Sequence, residues 1–372
     1  MVEVRRMLAL CVLFIFWFVS FSYLKTLGPS ISTCISTPFS VSNNNTTRKY
    51  PIDNNLSLYT QYCTMIEAKR QGEKYRLLRH YSAVWSSCYS NDYLVQLYVA
   101  DLDIYNDKKM VFINVGANKG YTIATWLSLW MPHIGINPRV LGHYLRTKIN
   151  LNDCGACDDC REEGFLEFNS SLRINKAIEI YAFEPQPKTY EIFTQIKQWM
   201  NASFMYIYQT ALGNQTAIGS LQKCPPGGEV CGLETNANIT SENYIATKVT
   251  TLDKFLEEQN ITEKIDLLKI DTEVFDPLVI QGAKDSLNRH QVRLFIFEYH
   301  GIGMWPTTTL YQVVMDLERK DYVCYKIGQT GILRVTGCWS SVFEIKTWSN
   351  VLCISRREPR LISFIEKLLI PF

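Results

Sequence analysis

The sequence predicts an α/β fold with a mostly parallel sheet between helices, and three observations carry that prediction. Apolar runs of strand length alternate with helix-like segments from Met110 onward, the pattern of repeated strand–helix units. The run Met110–Val115 enters the turn Gly116-Ala117-Asn118-Lys119-Gly120 and then a helical stretch. A strand, a small-residue turn and a helix N-terminus together form a cradle of free amides for a nucleotide-like ligand. The second apolar run, Ile178–Phe183, ends in Glu184-Pro185, placing an acid where it can accept hydrogen bonds from a ribose diol.

The first element lies at the N-terminus. Met7–Leu24 is an uncharged run of 18 residues between Arg5-Arg6 and Lys25, long enough to cross a hydrocarbon core. The arginines favour a cytoplasmic tail at residues 1–6. The expectation is a single-pass type II signal anchor at 7–24, in the Golgi or endoplasmic reticulum, with the domain in the lumen. A cleaved signal peptide and a secreted product is the alternative. Residues 25–55, rich in Ser, Thr and Asn, read as a lumenal stem. N-glycosylation sequons begin at Asn44, Asn45, Asn55, Asn169, Asn201, Asn214, Asn238 and Asn260, against roughly three expected by chance.

Residues 56–109 read as a helical region rich in aromatics, 110–355 as the main domain and 356–372 as a tail. A helix follows the first strand through Trp130. After the second strand come a helix near 187–200, strands near 204–210 and 216–222, and a helix near 251–259. Strand 265–270, helix 275–283, strand 292–299 and helix 308–319 lead to final strands near 322–327, 331–336 and 350–354. The ribose-binding acid usually stands about 20 residues beyond the glycines, whereas Glu184 stands 68 beyond Gly116. Residues 131–177 are therefore expected to form a polar, Cys-rich surface insertion.

The 38 basic and 36 acidic residues leave a net charge of +2, which gives no general attraction to nucleic acid. Of 12 cysteines, Cys11 lies in the apolar run. In an oxidising lumen the other eleven mostly pair, leaving at least one free or intermolecular. Cys224 and Cys231 bracket a Pro-Pro-Gly-Gly turn and read as a local pair. The two-residue gaps of Cys154, Cys157 and Cys160 also suit zinc with His143 as a fourth ligand. Disulfides are favoured in that compartment, so no metal is assigned.

The ordered blocks "FINVGANKGYT", "YAFEPQPKTYEIF", "TALGNQTAIGSL", "VTTLDKFLEE", "IDLLKIDTEVFDPLVIQGA" and "FIFEYH" resemble FkbM-type methyltransferases, from about Met110 to Tyr299. The resemblance implies a Rossmann-like class I methyltransferase fold, a seven-stranded sheet between helices, with S-adenosylmethionine as cofactor. It implies that Gly116, Ala117, Asn118, Gly120 and Tyr121 line the cofactor, with Glu184 on its ribose hydroxyls. Asp271 and Glu273 would sit where donor and acceptor meet. Two positions depart from the family pattern. Asn114 replaces the usual Asp that contacts the methionine part of the cofactor, and Val274 replaces the Gly that usually follows the second acid.

A sulfonium methyl is already activated, so in-line positioning supplies much of the rate. A hydroxyl acceptor loses a proton as it attacks, and a general base then contributes about 10²–10⁴-fold. Asp271, His300, Glu273 and Glu298 are the candidates, with Asp271 first and His300 second. All lie near C-terminal strand ends, where open α/β sheets bind ligands. Their structural alternatives are a helix N-cap for Asp271, a buried strand-end acid for Glu298 and an exposed loop position for His300. The expected activity is O-methylation of a glycan or other hydroxyl-bearing acceptor in the secretory pathway. One rival is a metal-dependent lumenal glycosyltransferase using the DxD pair Asp101 and Asp103. The other is a non-catalytic, methyltransferase-like binding protein.

Overall fold

The computed structural model describes residues 63–81, 88–102, 109–165, 177–234 and 242–370. The 7–24 run, the stem, Cys11, Cys34, Asp103 and the sequons at Asn44, Asn45, Asn55, Asn169 and Asn238 lie outside them. Among the described residues no helix is long and apolar enough to cross a membrane.

The strands are β1 (Met110–Val115), β2 (Ile178–Phe183), β3 (Met205–Tyr208), β4 (Ala211–Leu212), β5 (Ala217–Gln222) and β6 (Leu233–Glu234). They continue with β7 (Tyr244–Thr250), β8 (Leu267–Ile270), β9 (Leu294–Tyr299), β10 (Tyr322–Ile327), β11 (Ile332–Arg334) and β12 (Ser349–Ser355). Eight of them form one sheet in the order β11-β10-β12-β9-β8-β1-β2-β3, one strand more than the seven expected. The pairs from β9 through β3 are parallel. β12 runs antiparallel between β9 and β10, and β11 antiparallel at the edge.

Both faces of this sheet are covered, which is why its strands read as continuous apolar runs. Period-two alternation sends Met110 and Phe112 of β1 into one core cluster and Val111, Ile113 and Val115 into the other. The helix Tyr121–Trp130 fills the first cluster with Trp126 and Trp130. Both rings meet Phe112 edge-on, with centroids 5.3 and 4.9 Å away; each such pair adds about 0.5–1.5 kcal/mol beyond its buried area. The helix Leu310–Arg319 covers the opposite face through Leu310, Val313, Val314 and Leu317, spaced at helical period. A reciprocal cap between Thr309 and Gln312 fixes its start.

Several segments differ from expectation. The strand expected near 204–210 is the shorter β3, and the next two-residue strand, β4, joins a second sheet of order β4-β7-β5-β6. β7 was not foreseen, although its alternating, β-branched sequence YIATKVT carries the signal. The 131–177 segment is not draped over the surface. Its described part buries Leu141 and Leu145 at helical spacing against the core, together with Cys160. In the 356–372 tail, the helix Pro359–Ile365 buries Leu361, Ile362 and Ile365 in the same cluster.

Among the described residues five disulfides form: Cys63–Cys338, Cys88–Cys157, Cys154–Cys160, Cys224–Cys231 and Cys324–Cys353. The expected local pair is among them. Cys154, Cys157 and Cys160 are spent on two bridges, which removes the zinc alternative.

Candidate cofactor and acceptor site

The C-terminal ends of β1, β2, β8 and β9 open into a cavity of about 560 Å³, within the range of small-molecule sites. β1 and β2 are direct neighbours, with Asn114 opposite Ala182 and Val115 opposite Phe183. The glycine turn and Glu184 therefore leave the sheet side by side. The Gly116 and Ala117 N–H groups both donate to the Phe183 carbonyl, at 3.0 and 2.9 Å. Glu184 faces the turn: Oε2 accepts from the Asn118 N–H and Oε1 from the Gln186 N–H, each at 2.9 Å. Burial pushes its pKa up to about 7, against the pull of those two donors and Lys119. Each ionised oxygen retains acceptor capacity for another donor.

The two turn glycines answer to their neighbours as well as to the cavity they line. Gly116 has φ +83°, and a Cβ there would stand 1.8 Å from the Asp271 carbonyl oxygen. Gly120 has φ +84°, and a Cβ would meet the Phe193 ring at 2.7 Å. Ala117, Asn118 and Tyr121 also line the cavity. Asn114 does not; its side-chain amide is enclosed without a hydrogen-bond partner among the described residues.

Asp271, Glu273 and Glu298 line the same cavity. Asp271 continues the sheet edge, its N–H donating to the Val115 carbonyl at 2.9 Å. It is not the helix N-cap, because the next helix begins at Asp276. Lys269, two residues back on the same strand face, pairs with Asp271 at 2.5 Å and donates to the Thr122 hydroxyl at 3.2 Å. Burial, with Asp271 and Asp276 nearby, pushes Glu273 up to about 9. The same causes, with Glu273 added, hold Glu298 well above the carboxylate range. Asp276 accepts from the Thr272 hydroxyl at 2.8 Å and from the Glu298 N–H at 3.2 Å, which fixes the loop and strand end relative to each other.

His300 is buried rather than exposed, stacks on Trp348 with centroids 4.6 Å apart, and does not line the cavity. Burial lowers its pKa to about 4, which makes it a weak base. Val274 is accommodated because Gly232 and Gly303 lie against it; a Cβ at either would come within 2.5 Å of it.

Nothing in the sequence marked out Lys119. It is 1% exposed, and its ammonium donates to the Gly227 carbonyl at 2.7 Å, Asp153 at 2.9 Å and Glu229 at 3.0 Å. One side chain thus ties the glycine turn to the Cys-rich segment and to the loop closed by Cys224–Cys231. Those two segments supply Ala156, Cys157, Asp159, Gly228, Glu229 and Cys231 to the cavity wall. Asp101, from the DxD pair, is buried on the Arg293 guanidinium through two 2.9 Å contacts. Arg293 and a second of its partners, Asp266, precede β9 and β8, so this cluster sits at the sheet edge opposite the cavity.

A parallel-centred sheet with a reversed strand between its last two main strands, and a cavity over its glycine turn and strand-end acid, defines a class I methyltransferase-like domain. The family model of the methyltransferase FkbM domain matches residues 153–324. Over that span the chain matches the family that the ordered blocks resemble. The matched span begins inside the Cys-rich segment, so β1 and the glycine turn lie ahead of it. Among solved structures, methyltransferase FkbM from Methylobacillus flagellatus KT is 12% identical at a TM-score of 0.35, covering 67% of this chain and 44% of that one. The METTL16 MTase domain is 9% identical at 0.32, covering 71% and 66%. An rRNA methylase from Streptococcus thermophilus is 7% identical at 0.31, covering 70% and 94%. The chain thus spans less than half the length of the FkbM structure. Comparison with curated proteins gave no match.

Proposed function

We propose that this protein is an S-adenosylmethionine-dependent O-methyltransferase of the secretory pathway, acting on a hydroxyl of a glycan or glycoconjugate. The observation that carries the reading is Glu184, buried at the end of β2 and hydrogen-bonded to the adjacent glycine turn. The residues present fit the cofactor. Sheet order places Thr210–Leu212, after β3, on one side of Glu184, and the Asp271 cluster beyond β1 on the other. With Glu184 holding the ribose, Thr210–Leu212 would lie against the base and the Asp271 cluster near the methyl-bearing end.

When bound, the cofactor supplies a sulfonium methyl that passes to the acceptor oxygen as the S–C bond breaks, leaving a neutral thioether. The protein's part is to hold, orient and receive a proton. Glu184 would hold the ribose; the Gly116, Ala117, Asn118 and Gly120 N–H groups are engaged within the protein, so the glycine turn contributes its close backbone to the cavity wall. Asp271, oriented by Lys269, would receive the hydroxyl proton.

The compartment is supported by the five disulfides and by the exposure of Asn201, Asn214 and Asn260, the sequon asparagines among the described residues. The glycosyltransferase reading loses Asp101 to Arg293, and Asp103 lies outside the described residues. The test is incubation of the purified full chain with methyl-labelled cofactor and a glycan panel. Label on a carbohydrate oxygen is the expected result. A folded chain that binds neither S-adenosylmethionine nor S-adenosylhomocysteine in calorimetry overturns the reading.

A further inference from the structure

Three carboxylates converge in the cavity with too little positive charge to balance them. One ligand oxygen from each of Asp271, Glu273 and Glu298 lies within 4.8 Å of the others. Glu298 is only 6% exposed, yet its Oε2 is enclosed and accepts no hydrogen bond among the described residues. Glu273 Oε2 is enclosed and unpartnered in the same way. Lys269 brings a single positive charge, already engaged by Asp271 and Thr122. Ionised, the set carries two negative charges in excess. A buried carboxylate without a partner is unfavourable by several kcal/mol, so the set calls for a counter-ion.

We propose that Asp271, Glu273 and Glu298 form a binding site for one hard divalent cation, of the Mg²⁺, Mn²⁺ or Ca²⁺ class. An all-oxygen donor set selects such ions over soft ones, and the excess charge matches one of them. Ligand oxygens of such an ion stand about 3–5 Å from one another, the range within which the three carboxylate oxygens already lie. Three protein ligands leave about three of six positions open. Neighbouring hydroxyls of the acceptor, entering on the β8 and β9 side and away from Glu184, are suited to take two of them. The acceptor role rests on the methyltransferase reading; cation binding itself does not.

The test is titration of the purified full chain with Mn²⁺, followed by the loss of the free ion's six-line paramagnetic resonance. About one Mn²⁺ binds per chain and excess Mg²⁺ or Ca²⁺ displaces it. Glu298→Gln weakens binding about tenfold or more, the scale at which even the outer partners of metal ligands act. The exposed control Glu258→Gln leaves it unchanged. Glu273→Gln serves as a second variant, each checked for cooperative melting. The same preparation is titrated with S-adenosylhomocysteine in calorimetry, with and without Mn²⁺.

A chain that binds S-adenosylhomocysteine but leaves Mn²⁺ free at about 1 mM, the weak end of cation sites, overturns the cation site and spares the methyltransferase reading. Unchanged Mn²⁺ binding in both variants also overturns it. So does expulsion of Mn²⁺ by S-adenosylhomocysteine, which would give the carboxylates to the cofactor. Mn²⁺ binding without S-adenosylhomocysteine binding supports the cation site and sinks the methyltransferase reading alone.

Discussion

Glu184 carries two demands that pull its proton in opposite directions. As a ribose acceptor it must be ionised, because only the carboxylate offers both oxygens purely as acceptors. Burial, however, raises its pKa to about 7. S-adenosylhomocysteine affinity therefore rises between pH 6 and 8 and falls by about tenfold per pH unit below 7. Glu184→Gln flattens that profile in calorimetry and weakens binding by about 1.5–3 kcal/mol, roughly 10–150-fold. The sign for stability is the reverse. A proton held more tightly folded than unfolded favours the fold below pH 4.5, and that advantage is lost as pH rises through about 7. Glu184 was legible because an acid ending an apolar strand is a local signal. Lys119 was not, because its three partners lie 34, 108 and 110 residues away and meet only through the fold. Gly116 was legible as a turn, but the clash that requires it comes from the carbonyl of Asp271, 155 positions later. Gly116→Ala, forced to φ +83° against that carbonyl, is expected to lower stability by at least about 2 kcal/mol, read as a fall in melting temperature.

At the scale of elements, the buried strands announced themselves as apolar runs, and β5 of the second sheet was legible as the strand near 216–222. β6, two residues long, and β7, with a mixed burial pattern, were not singled out. Yet the β5–β6 connection, closed by Cys224–Cys231, brings its backbone to the site. The Gly227 carbonyl holds Lys119, and the Gly228 carbonyl accepts from the Asn118 amide at 3.1 Å. A bridge seven residues long is readable from spacing, whereas Cys63–Cys338, 275 residues apart, depends on the whole fold. Replacing Cys224 and Cys231 together by Ser removes about 2 kcal/mol of loop-closure stabilisation. Because that loop walls the cavity, S-adenosylhomocysteine affinity should fall several-fold as well. A melting shift with unchanged affinity would show the loop to be structural only.

Across the described domain, charge is divided between the two edges of the sheet. The cavity edge gathers carboxylates around two lysines, Lys119 and Lys269, with Glu273 and Glu298 left unpaired by either, an arrangement suited to binding. The opposite edge concentrates carboxylates around one arginine, with every partner satisfied. Arg293 holds Asp101 in a fork, Asp266 at 2.7 Å and Glu358 at 3.1 Å, while Asp266 also accepts the Val111 N–H at 2.9 Å. The cluster joins the segment after the helix Asp92–Ala100, the entries to β8 and β9, and the C-terminal helix. Removing one partner of a buried ion cluster leaves the others uncompensated, at about 3–5 kcal/mol. Arg293→Met should therefore lower the melting temperature strongly. In the fraction that folds, S-adenosylhomocysteine affinity should stay within about twofold, as distant sites behave additively. A second variant, Asp101→Asn, separates the two readings of Asp101. If Asp101 serves stability alone, Asp101→Asn destabilises the chain while Mn²⁺ binding stays intact. If Asp101 instead serves a nucleotide-sugar metal site, Asp101→Asn abolishes metal-dependent sugar-nucleotide binding in a chain that melts as before. The two-pronged, fully buried contact with Arg293 points to the first result, and a melting curve beside a Mn²⁺ titration of that one variant decides it.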